Sequence, residues 1–239
     1  MKKYLFPVLL LLCFTACKNR RDEAKPRTMP PRETADWIIL TSPEPADIWG
    51  VYGNIDSTLL ITTGFSIFRT GDGGKSWEKS NYKEGLGIFG FAMNQDTLLA
   101  LAGRSSGSVN RSPYATTPQF MSVDGGKTWT RNTSFFWNHD RVAPLDLLTA
   151  PNGVRYQIDE VLTPICPNCT NNYVETPGFR TSDGRRVALP QMHQLQSLYF
   201  DSRQRLYLSG SAATCGGIKN FHLCDGAYGV VYVSKKPLP

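Results

Sequence analysis

Thr70-Gly71-Asp72-Gly73-Gly74-Lys75-Ser76-Trp77 recurs almost letter for letter as Ser122-Val123-Asp124-Gly125-Gly126-Lys127-Thr128-Trp129. Both segments read Ser/Thr-x-Asp-x-Gly-x-Ser/Thr-Trp, and chance rarely places so long a pattern twice. Each residue type has a local task in a hairpin turn. An Asp carboxylate accepts hydrogen bonds from turn amides, and Gly supplies a positive φ without steric cost. The Ser or Thr hydroxyl can bond nearby backbone. Trp opens the outgoing strand and offers a large aromatic surface for burial. These tasks are architectural, so Asp72 and Asp124 are read as turn locks rather than catalytic acids.

Fainter copies extend the repeat. Phe179-Arg180-Thr181-Ser182-Asp183-Gly184 echoes Phe68-Arg69-Thr70-Gly71-Asp72-Gly73, but Arg185 replaces the second Gly and the Trp is lost. Val231-Tyr232-Val233-Ser234 reaches the same Ser/Thr position, and Lys236 then stands where Asp should be. The Ser/Thr positions 70, 122, 181 and 234 are 52, 59 and 53 residues apart, a spacing that suits four-stranded propeller blades. Two strand-like runs precede each copy: 47–53 and 58–63, 87–93 and 97–102, 145–149 and 153–158, 195–200 and 205–209. No segment of helical period persists for three turns, which favours an all-β fold.

The motif resembles the Asp-box, or bacterial neuraminidase (BNR) repeat, of sialidase-like β-propellers. That resemblance spans residues 37–239 at the level of the repeat and implies a small propeller of about four four-stranded blades. It assigns structural roles to Thr70, Asp72, Gly74, Trp77, Ser122, Asp124, Gly126, Trp129, Thr181 and Asp183. The fourth repeat stops at Pro239 without an outgoing strand, whereas Trp37-Ile38-Ile39-Leu40 precedes the first repeat as a strand without a partner. The expectation is that 37–40 closes the ring as the outer strand of the last blade, removing an exposed edge. The alternative is a truncated piece of a larger propeller. Proteins of this type include glycan-cleaving enzymes and receptor ectodomains, so the fold does not select a function. Sialidases carry an Arg-Ile-Pro-like motif ahead of the first box. No such tripeptide stands in this sequence, which disfavours sialidase activity.

The N-terminus points to export. Met1-Lys2-Lys3-Tyr4 is a short basic segment, and the apolar run from Leu5 to Phe14 is too short to span a bilayer stably. Phe14-Thr15-Ala16-Cys17 resembles a lipobox, which implies cleavage after residue 16 and lipidation of Cys17. An ordinary cleaved signal peptide is the alternative. Residues 17–36 are charged and Pro-containing with few large apolar side chains, and read as a flexible tether. Placing charge by segment changes what the net +6 means: from Trp37 onward there are 18 basic and 16 acidic residues. A nucleic-acid binder concentrates Lys and Arg on its folded body, so nucleic acid is excluded as a partner. The expected location is the cell envelope, lipid-anchored at the outer membrane.

In a propeller, loops between the second and third strands share a face with the blade-to-blade connections. Here those loops are long, 104–118, 159–178 and 211–229, and long loops without regular structure are often functional. With the connection 132–144 they define a candidate binding face: Arg104, Arg111, Trp137, His139, Asp140, Arg141, Asp159, Glu160, Glu175, His222 and Asp225. Cys166, Cys169, Cys215 and Cys224 fall in two of these loops. An exported chain meets oxidising conditions, so disulfides 166–169 and 215–224 are expected, with cross-loop pairing open. A four-thiolate zinc site is the sharper alternative: the first pair has the right spacing, and the eight residues between the second pair weaken it. No catalytic residue, metal or cofactor is assigned. The reading is a membrane-anchored, non-catalytic binding or scaffolding propeller that presents long loops to an envelope protein or glycan. The alternatives are a divergent glycoside hydrolase using loop carboxylates, and a degenerate propeller that stabilises an assembly.

Overall fold

The computed structural model describes residues 29–106, 112–134, 143–224 and 226–238. Cys17 and the leader lie outside the described residues, as do Arg111, Trp137, His139, Asp140, Arg141 and Asp225. Every regular element among the described residues is a strand. After β1 (Arg32–Glu33) and β2 (Trp37–Thr41), blade 1 comprises β3 (Gly50–Gly53), β4 (Leu59–Thr62), β5 (Ile67–Thr70) and β6 (Glu78–Lys79). Blade 2 comprises β7 (Gly90–Asn94), β8 (Thr97–Ser106), β9 (Pro113–Ser122) and β10 (Thr130–Arg131), and β11 (Ala143–Pro144) pairs with the start of β9. Blade 3 comprises β12 (Leu147–Thr149), β13 (Arg155–Pro164), β14 (Asn172–Thr181) and β15 (Arg186–His193). Blade 4 starts with β16 (Leu195–Phe200) and β17 (Leu206–Gly210). A small hairpin, β18 (Thr214–Cys215) and β19 (His222–Leu223), then leads to β20 (Val230–Ser234). The four antiparallel sheets stand in a ring as a four-bladed β-propeller.

Both ends of the chain build blade 4, as the sequence predicts. Its order is β16-β17-β20-β2-β1, with Trp37 opposite Ser234 and Thr41 opposite Val230. Residues 32–33 pair back on Ile38 and Ile39, so regular structure begins ahead of Trp37. Arg69 lies opposite Glu78 and Thr130 opposite Met121, and one step further along each ladder places Trp77 opposite Thr70 and Trp129 opposite Ser122. Trp37 therefore occupies in blade 4 the position of Trp77 in blade 1 and Trp129 in blade 2. The turn of blade 4 is divided between the two chain ends.

The two intact turns share one hydrogen-bond pattern. The Thr70 hydroxyl donates to Asp72 at 2.8 Å and accepts from the Gly74 amide at 3.0 Å; Ser122 repeats this with Asp124 at 2.8 Å and Gly126 at 2.9 Å. The second carboxylate oxygen accepts from the Ser76 hydroxyl at 2.5 Å in one turn and from Thr128 at 2.6 Å in the other. Hydrogen bonds to the ionised form, that from Ser76 or Thr128 first, hold both aspartates well below the usual carboxylate range, at about 2. Gly74 and Gly126 both have φ of 84° and pack on the preceding blade. A Cβ there would lie 2.7 Å from the methyls of Leu40 and Leu60 respectively.

Side-chain alternation assigns the two faces of each sheet to the two neighbouring seams. Leu59, Ile61, Phe68 and Trp77 of blade 1 bury against Leu40, Tyr207, Val231 and Val233 of blade 4. Leu98, Ala100, Phe120 and Trp129 of blade 2 bury against Leu60 and Ile67 of blade 1. In each case the Trp faces the preceding blade. Blade 4 follows the rule, since Trp37 and Tyr232 join Tyr156 and Phe179 of blade 3.

Blade 3 breaks it. Its turn is shortened so that Arg185 bonds back to Thr181, with the Arg185 carbonyl accepting from the Thr181 amide at 2.9 Å. Phe179, the sequence counterpart of Phe68 and Phe120, faces the following blade instead of the preceding one. Lacking a Trp of its own, the blade turns its apolar face toward Trp37. The seam between blades 2 and 3 is left with the smallest of the four buried clusters, Leu101, Ala115 and Leu145.

The seam between blades 4 and 1 also carries a polar clasp. Arg205 reaches Asp201 at 2.8 Å, Asp56 at 2.9 Å and Asn54 at 2.7 Å. Tyr207 donates to Asp201 at 2.9 Å and accepts from the Ile55 amide at 3.0 Å. Nothing in the sequence pattern marks these residues, because the partners come from opposite ends of the chain.

Trp37→Ala should cost about 3–5 kcal/mol in denaturant unfolding, as a buried aromatic truncation does. Arg205→Leu should cost about 3–5 kcal/mol, because it leaves Asp201 buried without its cation. The depressed pKa of Asp72 and Asp124 has a definite sign: their contribution is present above the unfolded value of 3.8 and is lost as pH falls toward about 2. In the Asp72→Asn/Asp124→Asn double variant, acid unfolding followed by circular dichroism should lose part of its pH dependence in that window.

Candidate interaction surface

The segments read as loops at 104–118 and 159–178 are largely strand. β8 and β9 run on as a hairpin to Ser106 and from Pro113, and β13 and β14 pair as far as Pro164 opposite Asn172. The physical reason lies in composition: Val161, Thr163, Tyr173 and Val174 are strand formers, and a projecting segment meets its backbone hydrogen bonds most simply by pairing with itself. The β13–β14 arm passes a bulge between Asp159 and Val161 and ends in a tip closed by the Cys166–Cys169 disulfide. Beside it, the β18–β19 hairpin is closed by Cys215–Cys224. All four thiols are thus engaged locally, and no four-thiolate zinc site forms.

The two stapled hairpins touch. The rings of Tyr173 and Phe221 lie 6.3 Å apart, edge to face, and Gly217 packs beside the Glu175 carboxylate. Six of the ten large apolar side chains that stand exposed among the described residues belong to this pair: Val161, Leu162, Ile165, Ile218, Phe221 and Leu223, from 39% to 57% exposed. The other four are Phe65, Leu86, Met93 and Val123, all on blades 1 and 2 or the connection between them. Val161 and Leu162 lie on opposite faces of the arm by strand alternation, so the arm is apolar on both sides. β12 pairs only with residues 155–157 of β13, and no strand among the described residues pairs with the same edge beyond Asp159.

A buried histidine that the sequence did not single out anchors both hairpins at their base. The Ser211 carbonyl can only accept, so His193 Nδ1 carries the proton in their 2.9 Å bond; Nε2 then accepts from the Tyr232 hydroxyl at 2.9 Å. Around it, the Thr176 hydroxyl of β14 donates to the His193 carbonyl at 2.5 Å and accepts from the Leu195 amide at 2.8 Å. The Gln194 side chain donates to the Val174 carbonyl at 2.8 Å. Burial pushes the His193 pKa down, and nearby Arg32 adds to the shift.

The remaining candidates scatter. Arg104 lies over the Trp49 ring at 5.6 Å, and its charge also acts on Asp146, lowering that carboxyl's pKa. Asp159 is buried and faces Arg186 at 3.8 Å. His222 is exposed on β19, with its Nδ1 donating to the Asn220 carbonyl at 2.8 Å. Glu175 sits beside the β18–β19 hairpin, where its charge joins desolvation in raising the Tyr173 pKa. Glu160 is exposed and acts on Asp146, whose carboxyl is held above the usual range chiefly by burial. One Asp146 oxygen is buried without a hydrogen-bond partner. Sequence reading missed Asp146 and His193 because each matters only through residues distant in the chain. The chain matches no protein-family model and no curated protein.

The lowered pKa of His193 makes neutral His the folded form, so below the unfolded value of 6.5 the unfolded chain binds more protons. Thermal stability should therefore fall as pH drops through and below 6.5. His193→Leu should be less stable at pH 7 and should lack that dependence in a series of melts from neutral to mildly acidic buffer.

Proposed function

We propose that the protein is a membrane-tethered, non-catalytic binding propeller of the bacterial cell envelope whose ligand is another protein, held by the two stapled hairpins. The observation that carries this reading is the concentration of exposed aliphatic side chains on the hairpin pair, next to a strand edge at residues 160–164 that no other strand among the described residues pairs. A concentration of exposed large apolar side chains is a mark of protein–protein contact, and an open edge accepts an extended segment by strand addition. Aliphatic side chains offer no flat face for a sugar ring to stack on. That favours a protein over a glycan, with Phe221 the one exposed aromatic of the group. The partner segment is extended and alternately apolar, so that its backbone pairs with residues 160–164 while its side chains cover Leu162 or Val161.

Two disulfides support a location in an oxidising compartment. Together with the lipobox-like residues 14–17, they support export and lipid anchoring through Cys17 at the outer membrane. Among the described residues no helix is long and apolar enough to cross a membrane. The matching bonding of Thr70, Asp72, Gly74 and Ser76 with that of Ser122, Asp124, Gly126 and Thr128 supports reading both turns as Asp-boxes of a sialidase-like propeller. A second reading, a divergent glycoside hydrolase, draws on Asp146, whose pKa is raised by burial first, with the charge of Glu160 adding to the shift.

A benzophenone amino acid placed at Leu162 or Phe221 of the full chain in living cells tests the binding reading. The expected outcome is one discrete protein adduct at both positions and none at Val123, an exposed turn position elsewhere. Absence of an adduct, or the same adducts at Val123, would count against a protein ligand. Turnover of an envelope glycan that Asp146→Asn abolishes would favour the hydrolase instead.

A further inference from the structure

The weak seam between blades 2 and 3 contains a groove of about 440 Å³ lined by Ser112, Leu147, Arg155, Gln157, Arg180, Thr181 and Ser182. Its size falls within the range of small-ligand sites. The lining follows from register. Gln157 lies opposite Arg180 and Leu147 opposite Gln157, so these three share one face of blade 3. Arg155, two residues before Gln157 on β13, shares that face, and Ser182 is tied to it: the Arg155 amide donates to the Ser182 hydroxyl oxygen at 3.0 Å, and the Ser182 amide to the Arg155 carbonyl at 2.9 Å. In blades 1, 2 and 4 the face turned to the preceding blade is apolar. In blade 3 the reversal described above puts guanidinium, amide and hydroxyl groups there instead.

The cations of blade 3 are unevenly matched. Arg186 faces Asp159 at 3.8 Å and Arg185 is held by Asp183 at 3.1 Å. Among the described residues, neither Arg155 nor Arg180 has a carboxylate partner. Arg180 donates to the neutral Gln157 side-chain oxygen at 2.9 Å, which orients the guanidinium without neutralising it. Diagonal neighbours on paired antiparallel strands stand roughly 7–8 Å apart, close enough for two arginines to converge on one oxyanion. The Ser182 oxygen accepts from the Arg155 amide, and its hydroxyl proton meets no acceptor among the described residues.

We propose that this groove binds a polyhydroxylated anion: a sugar or polyol bearing one oxyanion, gripped by Arg155 and Arg180, with its hydroxyls met by Ser112, Gln157 and Ser182. The single apolar wall, Leu147, leaves little to hold an apolar ligand. The site is separate from the hairpin surface, and either can fail without the other.

The test is isothermal titration of the purified full chain with glucuronate, glucose 6-phosphate, glucose and inorganic phosphate. Glucuronate and glucose 6-phosphate distinguish a carboxylate from a phosphate as the source of the oxyanion, the phosphate monoester carrying the larger charge, about −1.5 to −2 at pH 7. At least one of the two should bind, at least about tenfold more tightly than glucose, and more weakly as salt is raised. Arg155→Gln/Arg180→Gln should lose about tenfold or more in affinity while its melting temperature matches the wild type, because both side chains are exposed. Ser182→Ala, a milder change, should weaken binding with no effect on the salt dependence. Equal binding of glucose, inorganic phosphate binding as tightly as the charged sugars, unaltered affinity in the double variant, or no binding of either charged sugar would each overturn the proposal.

Discussion

The pairing of β2 with β20 is the constraint on which the rest of the molecule depends. An open ring of four sheets would leave β20 as an unpaired edge and the seam between blades 3 and 4 without Trp37. Both losses would fall at one place, because the strand that supplies the hydrogen bonds also supplies the aromatic side chain. Closing the ring also brings Asn54 and Asp56 to Arg205, so the same event completes a partly buried charged network. Chain entropy makes such long-range pairing costly to form. The structure concentrates several favourable interactions at the single point where that cost arises.

From this closure follows an uneven ring. Three seams are filled by the Trp at the start of an outer strand packing on the blade before it. The third blade has Arg185 in a shortened turn and no Trp, and its Tyr156, Ile158 and Phe179 turn toward blade 4. Because side chains alternate, turning one face of a strand to one neighbour commits the other face to the other neighbour. The polar character of the seam between blades 2 and 3 is thus a consequence of the apolar character of the seam between blades 3 and 4.

Blades 3 and 4 also carry the elements that depart from a plain four-stranded blade. The β13–β14 arm and the β18–β19 hairpin rise from the two blades joined by the largest buried cluster, and His193 ties their bases to Ser211 and Tyr232. A projecting hairpin with few buried contacts gains definition from a rigid foot and a covalent tip. Here the foot is a buried hydrogen-bond network and the tip a short disulfide loop.

What the sequence by itself determined is local. The turn chemistry of residues 70–77 and 122–129, the strand pairs ahead of each turn, the short-range disulfides and the spare strand at 37–40 were all legible, since each depends on residues close in the chain or on a repeating count. Only the tertiary structure decided which neighbour each face would meet. Phe179-Arg180-Thr181 matches Phe68-Arg69-Thr70 letter by letter, yet Phe179 points to the following blade and Phe68 to the preceding one. The arms read as loops because a strand that pairs only with its own return carries no burial pattern to mark it. His193, Arg205 and Asp146 were invisible for a related reason: a buried polar group takes its role from partners such as Tyr232 or Asn54, and a pattern along one dimension does not encode which distant residues will surround it.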